Sequence, residues 1–211
     1  MKNLIVSAHP VVADRLARLR DKNASVHAFR AYVHEVSMAL AYEASADLPT
    51  RECTVETPLE KTPGRMLAAA KSVLVVPILR AGLGLVSGFE ALFPDCHMGH
   101  IGLYRDEETK LPVEYLIRLP RELDRPIFLV DPMLATGHST AKAVEILLNA
   151  GAKLADIRVV TLISAPEGVE YVHGLYPDLP IYTAALDSHL NANAFIVPGL
   201  GDAGDRMFGT L

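Results

Sequence analysis

The sequence predicts an α/β fold built on a parallel sheet, and three observations point there. From residue 72 onward, apolar runs of strand length alternate with amphipathic segments of helix length. Several of those runs carry no polar interruption, the pattern of strands buried on both faces. Turns rich in glycine, threonine or serine follow two of the runs, at the strand ends where open α/β sheets bind ligands.

Composition bounds the possibilities. With 211 residues, 50% of them hydrophobic, the chain can bury one sizeable core, and it reads as a single domain over 1–211. Within it we expect N-terminal helices over about 11–45, a core over about 72–187 and a C-terminal loop over about 194–209. The net charge of −5 and the lack of any lysine or arginine run give no support to a nucleic-acid or membrane-surface partner. Small polar ligands fit better. The first apolar run is interrupted by Pro10 and is too short for a secretion signal, and no stretch approaches the roughly 20 apolar residues of a membrane span. A cytoplasmic location is expected. Cys53 and Cys96 lack metal-ligand spacing and a CxxC partner, which predicts reduced structural thiols.

Taken in order, the elements read as follows. Between residues 11 and 45 the apolar positions fall at helical spacing, with Leu16, Leu19, Phe29, Val33, Val36 and Leu40 as the inward stripe and Ser25 as a cap. Residues 53–57 alternate like a short edge strand, and Pro58 and Pro63 bracket a connection into a helix expected near Leu67. The strand SVLVVPIL leads into the helix VSGFEALF, IFLV into a helix ending near Leu148, DIRVVTLIS into PEGVEYVHG, and PIYTAAL closes the sheet. Between the first two units, residues 97–120 hold two β-rich runs around a charged turn at 106–110, which predicts a long antiparallel hairpin arm. Such an arm suits a dimer interface. The C-terminal IVPGLGDAGDRMFG is too glycine-rich for regular structure, yet its apolar residues predict an ordered loop over a site.

Two motifs carry chemistry. In IFLVDPMLATGHS a buried strand delivers Asp131 to the sheet's carboxyl edge, and Thr136, Gly137, His138 and Ser139 surround the first turn of the next helix. Unpaired N–H groups and the helix dipole favour an anion there, so the segment reads as a cradle for a phosphorylated sugar. It is not a Walker A loop, because GxxxxGK[ST] is absent. A plain helix start capped by Thr136 or Ser139 would not require Asp131. PILRAGLG places Arg80 at the end of another strand, where a guanidinium fork can pair with phosphate oxygens. Alone, that motif could equally be a strand-to-helix turn with a surface arginine.

Together, VPILRAGLG, HIGLYRDEET, VDPMLATGHS, SAPEG and VPGLGDAGDRMFGT resemble the motifs of uracil phosphoribosyltransferases, in order and at similar spacing over residues 75–210. The Asp131-Pro132 pair resembles the uracil branch, where other phosphoribosyltransferases carry two adjacent acids. The resemblance implies a Rossmann-like parallel sheet flanked by helices, the type I phosphoribosyltransferase fold, with a hairpin arm and a hood made from the N- and C-terminal segments. It implies that uracil and 5-phospho-α-D-ribose 1-diphosphate (PRPP) give UMP and diphosphate, with Mg²⁺ carried by the donor and no metal ligated by the protein directly.

Residue roles follow from the same resemblance. Arg80 and Arg105 would contact the donor's diphosphate, Asp131 the ribose hydroxyls, and the loop Pro132, Met133, Leu134, Ala135, Thr136, Gly137, His138 and Ser139 the 5′-phosphate. The backbone of Ile196, Gly201, Asp202 and Ala203 would read uracil, with Asp202 also near the donor. Arg80, Asp131 and Asp202 are the catalytic candidates. His138 departs from the pattern, which has a second glycine there; we expect a tolerated, solvent-facing substitution. A homodimer or higher homo-oligomer is implied, with GTP as a candidate effector. The rivals are a phosphoribosyltransferase for another base and an RNA-binding nucleotide sensor, the latter at odds with the acidic charge.

Overall fold

The computed structural model describes residues 2–68, 73–105 and 112–210, with only the backbone of Arg105 described. Its elements are β1 (Leu4–Val6), α1 (Pro10–Arg20), α2 (Val26–Ala44), β2 (Thr50–Glu56), β3 (Lys61–Leu67), β4 (Leu74–Leu79), α3 (Leu83–Leu92), β5 (His97–Met98), β6 (His100–Arg105), β7 (Pro112–Arg118), β8 (Ile127–Val130) and β9 (Met133–Leu134). There follow α4 (His138–Asn149), β10 (Ile157–Ser164), α5 (Pro166–Leu175), β11 (Ile181–Leu186), β12 (His189–Leu190), β13 (Ile196–Val197) and α6 (Ala203–Phe208). The main sheet runs β1-β11-β10-β8-β4-β6-β7, with β5 on β4 and β9 on β10. All its pairings are parallel except β6 with β7.

Strand alternation sorts the core into two layers. Val75, Phe128, Val130 and Val160 face the layer that holds Leu19, Phe29, Val33 and Leu40 of the N-terminal helices and Phe89 of α3. Their neighbours Leu74, Val76, Ile127 and Leu129 face Val144, Leu147, Val169 and Val172 of α4 and α5. A period of two therefore feeds both faces, which is why these strands read as unbroken apolar runs. Each fully buried side chain of this kind contributes about 1.5–3 kcal/mol. The six-residue stripe predicted for the N-terminal helices is buried. Ser25 caps α2, its hydroxyl accepting from the Ala28 N–H at 3.2 Å.

Two expectations are corrected. No helix forms near Leu67: that residue ends β3, and β2 and β3 pair antiparallel from Thr50–Leu67 to Glu56–Lys61 as a separate hairpin. The turn is built around Thr57, whose N–H and hydroxyl both hold the Glu60 carbonyl. Pro63 is tolerated because a two-stranded hairpin has only edge strands. The C-terminal segment is more regular than its glycines suggest, since β13 pairs with β12 and Asp202 nucleates α6. The opening apolar run is β1, a parallel edge strand on β11. The hairpin predicted within 97–120 forms as β6 and β7, and β6 joins the sheet through β4. Its charged turn lies outside the described residues. Cys53 and Cys96 are free.

Candidate active site

β4 and β8 are parallel neighbours, with Pro77 opposite Val130, so Arg80 and Asp131 leave the sheet at adjacent strand ends. A cis peptide bond joins Leu79 to Arg80. The Arg80 guanidinium carbon lies 6.0 Å from the centre of the Phe208 ring, which brings α6 over this edge. Arg105 ends β6, the next strand over, but its side chain lies outside the described residues.

After Asp131 the chain is pinned to β10. The Pro132 carbonyl accepts from Leu162 and Ile163 N–H at 3.0 and 3.1 Å, and Met133 and Leu134 pair with Ile163 and Ser164. Ala135 and Thr136 then lead to Gly137, which has φ 81° and begins α4. A β-carbon there would stand 2.6 Å from the Gly168 carbonyl of α5, so both φ and space exclude a side chain. No side chain caps α4, and among the described residues neither the Thr136 nor the Ser139 hydroxyl has a protein partner. The cap alternative is thereby set aside, and the hydroxyls and first-turn N–H groups are available to an anion.

His138 is the first residue of α4, and the positive φ belongs to Gly137 before it, so no backbone strain attaches to the histidine. Its ring is not solvent-facing. It is half-buried, edge-on to Tyr171 with ring centres 4.5 Å apart and planes at 80°, and its Nδ1 is buried without a partner. The cause is local: α4 starts against α5, so the side chain enters the seam between them.

The C-terminal segment lies over the edge at which β4 ends, through the contact of Phe208 with Arg80. Ile196 and Ala203 are buried, and Gly201 between them has φ 77°. Asp202 caps α6, its Oδ1 accepting from Asp205 N–H at 2.9 Å. Burial pushes the Asp131 carboxyl up to about 7, the Met133 N–H pulls the other way, and the charge of Asp202 adds to the rise. Among the described residues no group of three or more metal-ligating side chains forms. A Mg²⁺ ion carried by the donor's diphosphate would need no such group, since Mg²⁺ takes most of its ligands from substrate phosphates and water.

Sequence reasoning missed the residues that hold this segment down. Arg206 donates to the carbonyls of Leu19, Leu200 and Asp21, and Arg30 donates to the Met207 carbonyl at 2.6 Å. Arg20 and Asp187 hold Gly199. No local pattern marks them, because the bonds that tie the segment to the N-terminal helices join residues far apart along the chain. The one available signal was that Asp187 follows the carboxyl end of a predicted strand.

The fold and this edge define a type I phosphoribosyltransferase. A purine phosphoribosyltransferase from Pyrococcus horikoshii shares the fold, with a TM-score of 0.51 at 16% identity over 74% of this chain and 83% of that one. The AQ2163 protein from Aquifex aeolicus aligns with a TM-score of 0.90 at 31% identity over 97% of both chains. A family profile for uracil phosphoribosyltransferase matches residues 6–210. Uracil phosphoribosyltransferases from Lactococcus lactis subsp. cremoris (strain MG1363) and Clostridium perfringens (strain 13 / Type A) are each 52% identical over 211 residues, the whole of both chains. The chain belongs to the uracil phosphoribosyltransferase family.

Proposed function

We propose that the chain joins N1 of uracil to C1 of PRPP, releasing diphosphate and forming UMP, the reaction of pyrimidine salvage. The observation that carries the residue assignment is the approach of Arg80 to Phe208 of α6, which joins the glycine-rich C-terminal segment to the edge where β4 and β8 deliver Arg80 and Asp131. One wall then holds the donor and the other the base. Residues 135–139 take the 5′-phosphate, Asp131 the ribose hydroxyls, and Arg80 with Arg105 the diphosphate.

The bond from C1 to the diphosphate oxygen breaks as the bond to N1 forms, so positive charge develops on the ribose and negative charge on the leaving group. Arg80 and Arg105 meet the negative charge, and the two walls align N1 with C1. Mg²⁺ bound with the donor supplies further neutralisation of the diphosphate. Asp202 accepts the N1 proton. Uracil presents two carbonyl acceptors and an N3–H donor, which the backbone of Ile196 and residues 201–203 matches without a dedicated side chain. Cytosine would set its amino group against a backbone donor, a loss of roughly 1–3 kcal/mol.

The test is product formation from labelled uracil and PRPP, compared with cytosine, hypoxanthine and orotate as acceptors. UMP formation confined to uracil is the expected result; turnover of another base without uracil turnover contradicts the reading. No gel-shift with RNA is expected. The chain works as a homo-oligomer, and GTP is the effector to add to the same assay.

A further inference from the structure

Gly199 lies between the two groups of residues assigned to uracil, three positions after Ile196 and two before Gly201. Its φ is 65°, and a β-carbon there would stand 2.1 Å from the Ile196 carbonyl oxygen, so a tight turn links the two halves of the base wall. Both backbone polar groups of this residue are held by charged side chains. The Gly199 N–H donates to Asp187 Oδ2 at 2.9 Å, and the Gly199 carbonyl accepts from Arg20 Nη1 at 2.7 Å. Arg20 and Asp187 also grip each other through two bonds, Nη1 to Oδ2 at 2.8 Å and Nη2 to Oδ1 at 2.5 Å. The ring of contacts is closed.

Each member of the ring is anchored to a different part of the fold. Asp187 follows β11, and its N–H donates to the carbonyl of Ser164 at the end of β10 at 2.8 Å. Arg20 is the last residue of α1. Arg206 takes the next carbonyl, that of Leu200, at 2.7 Å while lying 4.4 Å from the centre of the Phe29 ring. Two guanidinium groups therefore fix the carbonyls at 199 and 200 immediately before Gly201. The side chain of Asp187 is 4% exposed and that of Arg20 is 24% exposed, so the pair is shielded enough for its charge-assisted bonds to matter.

We propose that Arg20 and Asp187 are positioning residues for base recognition: their pair clamps the Gly199 peptide and thereby sets the spacing between Ile196 and the Gly201–Ala203 backbone that reads the pyrimidine. The proposal rests on the assignment of that backbone to uracil. It gives the N-terminal helix a part in specificity through Arg20, the last residue of α1. Residues 135–139, Asp131 and Arg80 hold PRPP from other strand ends, so loss of the clamp acts first on the base and reaches the donor only through Asp202.

The experiment compares Arg20→Met, Asp187→Asn and the charge-free double variant Arg20→Met/Asp187→Leu with the unaltered enzyme in steady-state kinetics. Loss of charge-assisted bonds predicts that KM for uracil rises about tenfold or more, that preference over cytosine narrows, and that KM for PRPP stays within about twofold. Arg20→Lys keeps the charge without the fork and falls between. In Arg20→Ala, low guanidinium chloride lowers KM for uracil, entering through the cleft that Arg20 lines with Lys22, Leu200 and Arg206. The double variant leaves no buried unpaired charge, and a cooperative melt shows that it folds.

Gly201→Ala, strained at φ 77°, tests the base wall directly. If it raises KM for uracil while the clamp variants do not, the proposal is wrong and the base assignment stands. If neither it nor the clamp variants move KM for uracil, the base assignment fails and takes the proposal with it. Equal rises in both KM values with a parallel fall in kcat would show a merely structural pair, and overturn the proposal.

Discussion

Asp131 carries opposing demands. Its carboxylate must accept from the ribose hydroxyls, yet burial and Asp202 raise its pKa from 3.8 to about 7 in the folded chain. Between those values the folded state keeps a proton that the unfolded state has released, so this group's contribution to stability is full below about pH 4 and is lost as pH rises through 7. Asp131→Asn removes the dependence. Its stability relative to the parent, followed by thermal melts, should rise between about pH 5 and about pH 8, by at most about 3 kcal/mol at 1.36 kcal/mol per pH unit up to the folded pKa of about 7. A pH-independent difference would contradict the assignment. For the same reason kcat/KM for PRPP should climb with pH through an apparent pKa near 7 in the parent. At His138 the expectation is a quieter one. His138→Gly should keep activity within about tenfold and leave the pH dependence of donor KM unchanged, while losing roughly 0.5–1.5 kcal/mol of stability with the Tyr171 contact. Thermal melts and donor kinetics check both parts. Asp131, Thr136 and Ser139 were legible in sequence because strand, acid and helix start are contiguous. Arg20 and Asp187 were not, since their meaning depends on a contact between the first helix and the far end of the sheet.

Among the elements, local rules succeeded where burial is two-sided. β4 and β8 are unbroken apolar runs, β10 is apolar but for Arg158, Thr161 and Ser164, and all three were placed nearly to the residue. β1 was missed because an edge strand of three residues has no period to display. The segment ending at Leu67 was misassigned for a different reason: proline spacing suggested a helix entrance, while the hairpin gets its register from the Thr57 turn and cross-strand pairing. The phosphate loop shows how elements make a site. Gly137 meets Gly168, and a β-carbon on Gly168 would itself stand 2.2 Å from the Ala135 carbonyl, so α5 sets the shape of the loop before α4. Gly137→Ala should therefore raise KM for PRPP by about tenfold or more and leave KM for uracil nearly unchanged. Equal effects on both substrates would argue against separate walls.

At the scale of the molecule, the main sheet is parallel except at its β6–β7 edge, and the N-terminal helices and α6 pack together on one of its faces, where the N- and C-terminal segments meet as the resemblance implies. The β2–β3 hairpin stands apart from that sheet, with Val55, Leu59 and Met66 exposed. Two strands alone are marginally stable in water, so a second copy of the chain is the expected cover. Light scattering should give at least twice the chain mass, and Leu59→Lys with Met66→Glu should shift the distribution toward monomer. A parent that is monomeric at all concentrations would contradict this. The central claim concerns two walls, one for the phosphoribosyl donor and one for uracil. Its most direct measurement is the rate of UMP formation from labelled uracil and PRPP, in the parent and in Asp131→Asn and Asp202→Asn. The account predicts turnover in the parent and a loss of about 100-fold or more in each variant. Undiminished turnover in both variants, or none in the parent, would contradict it.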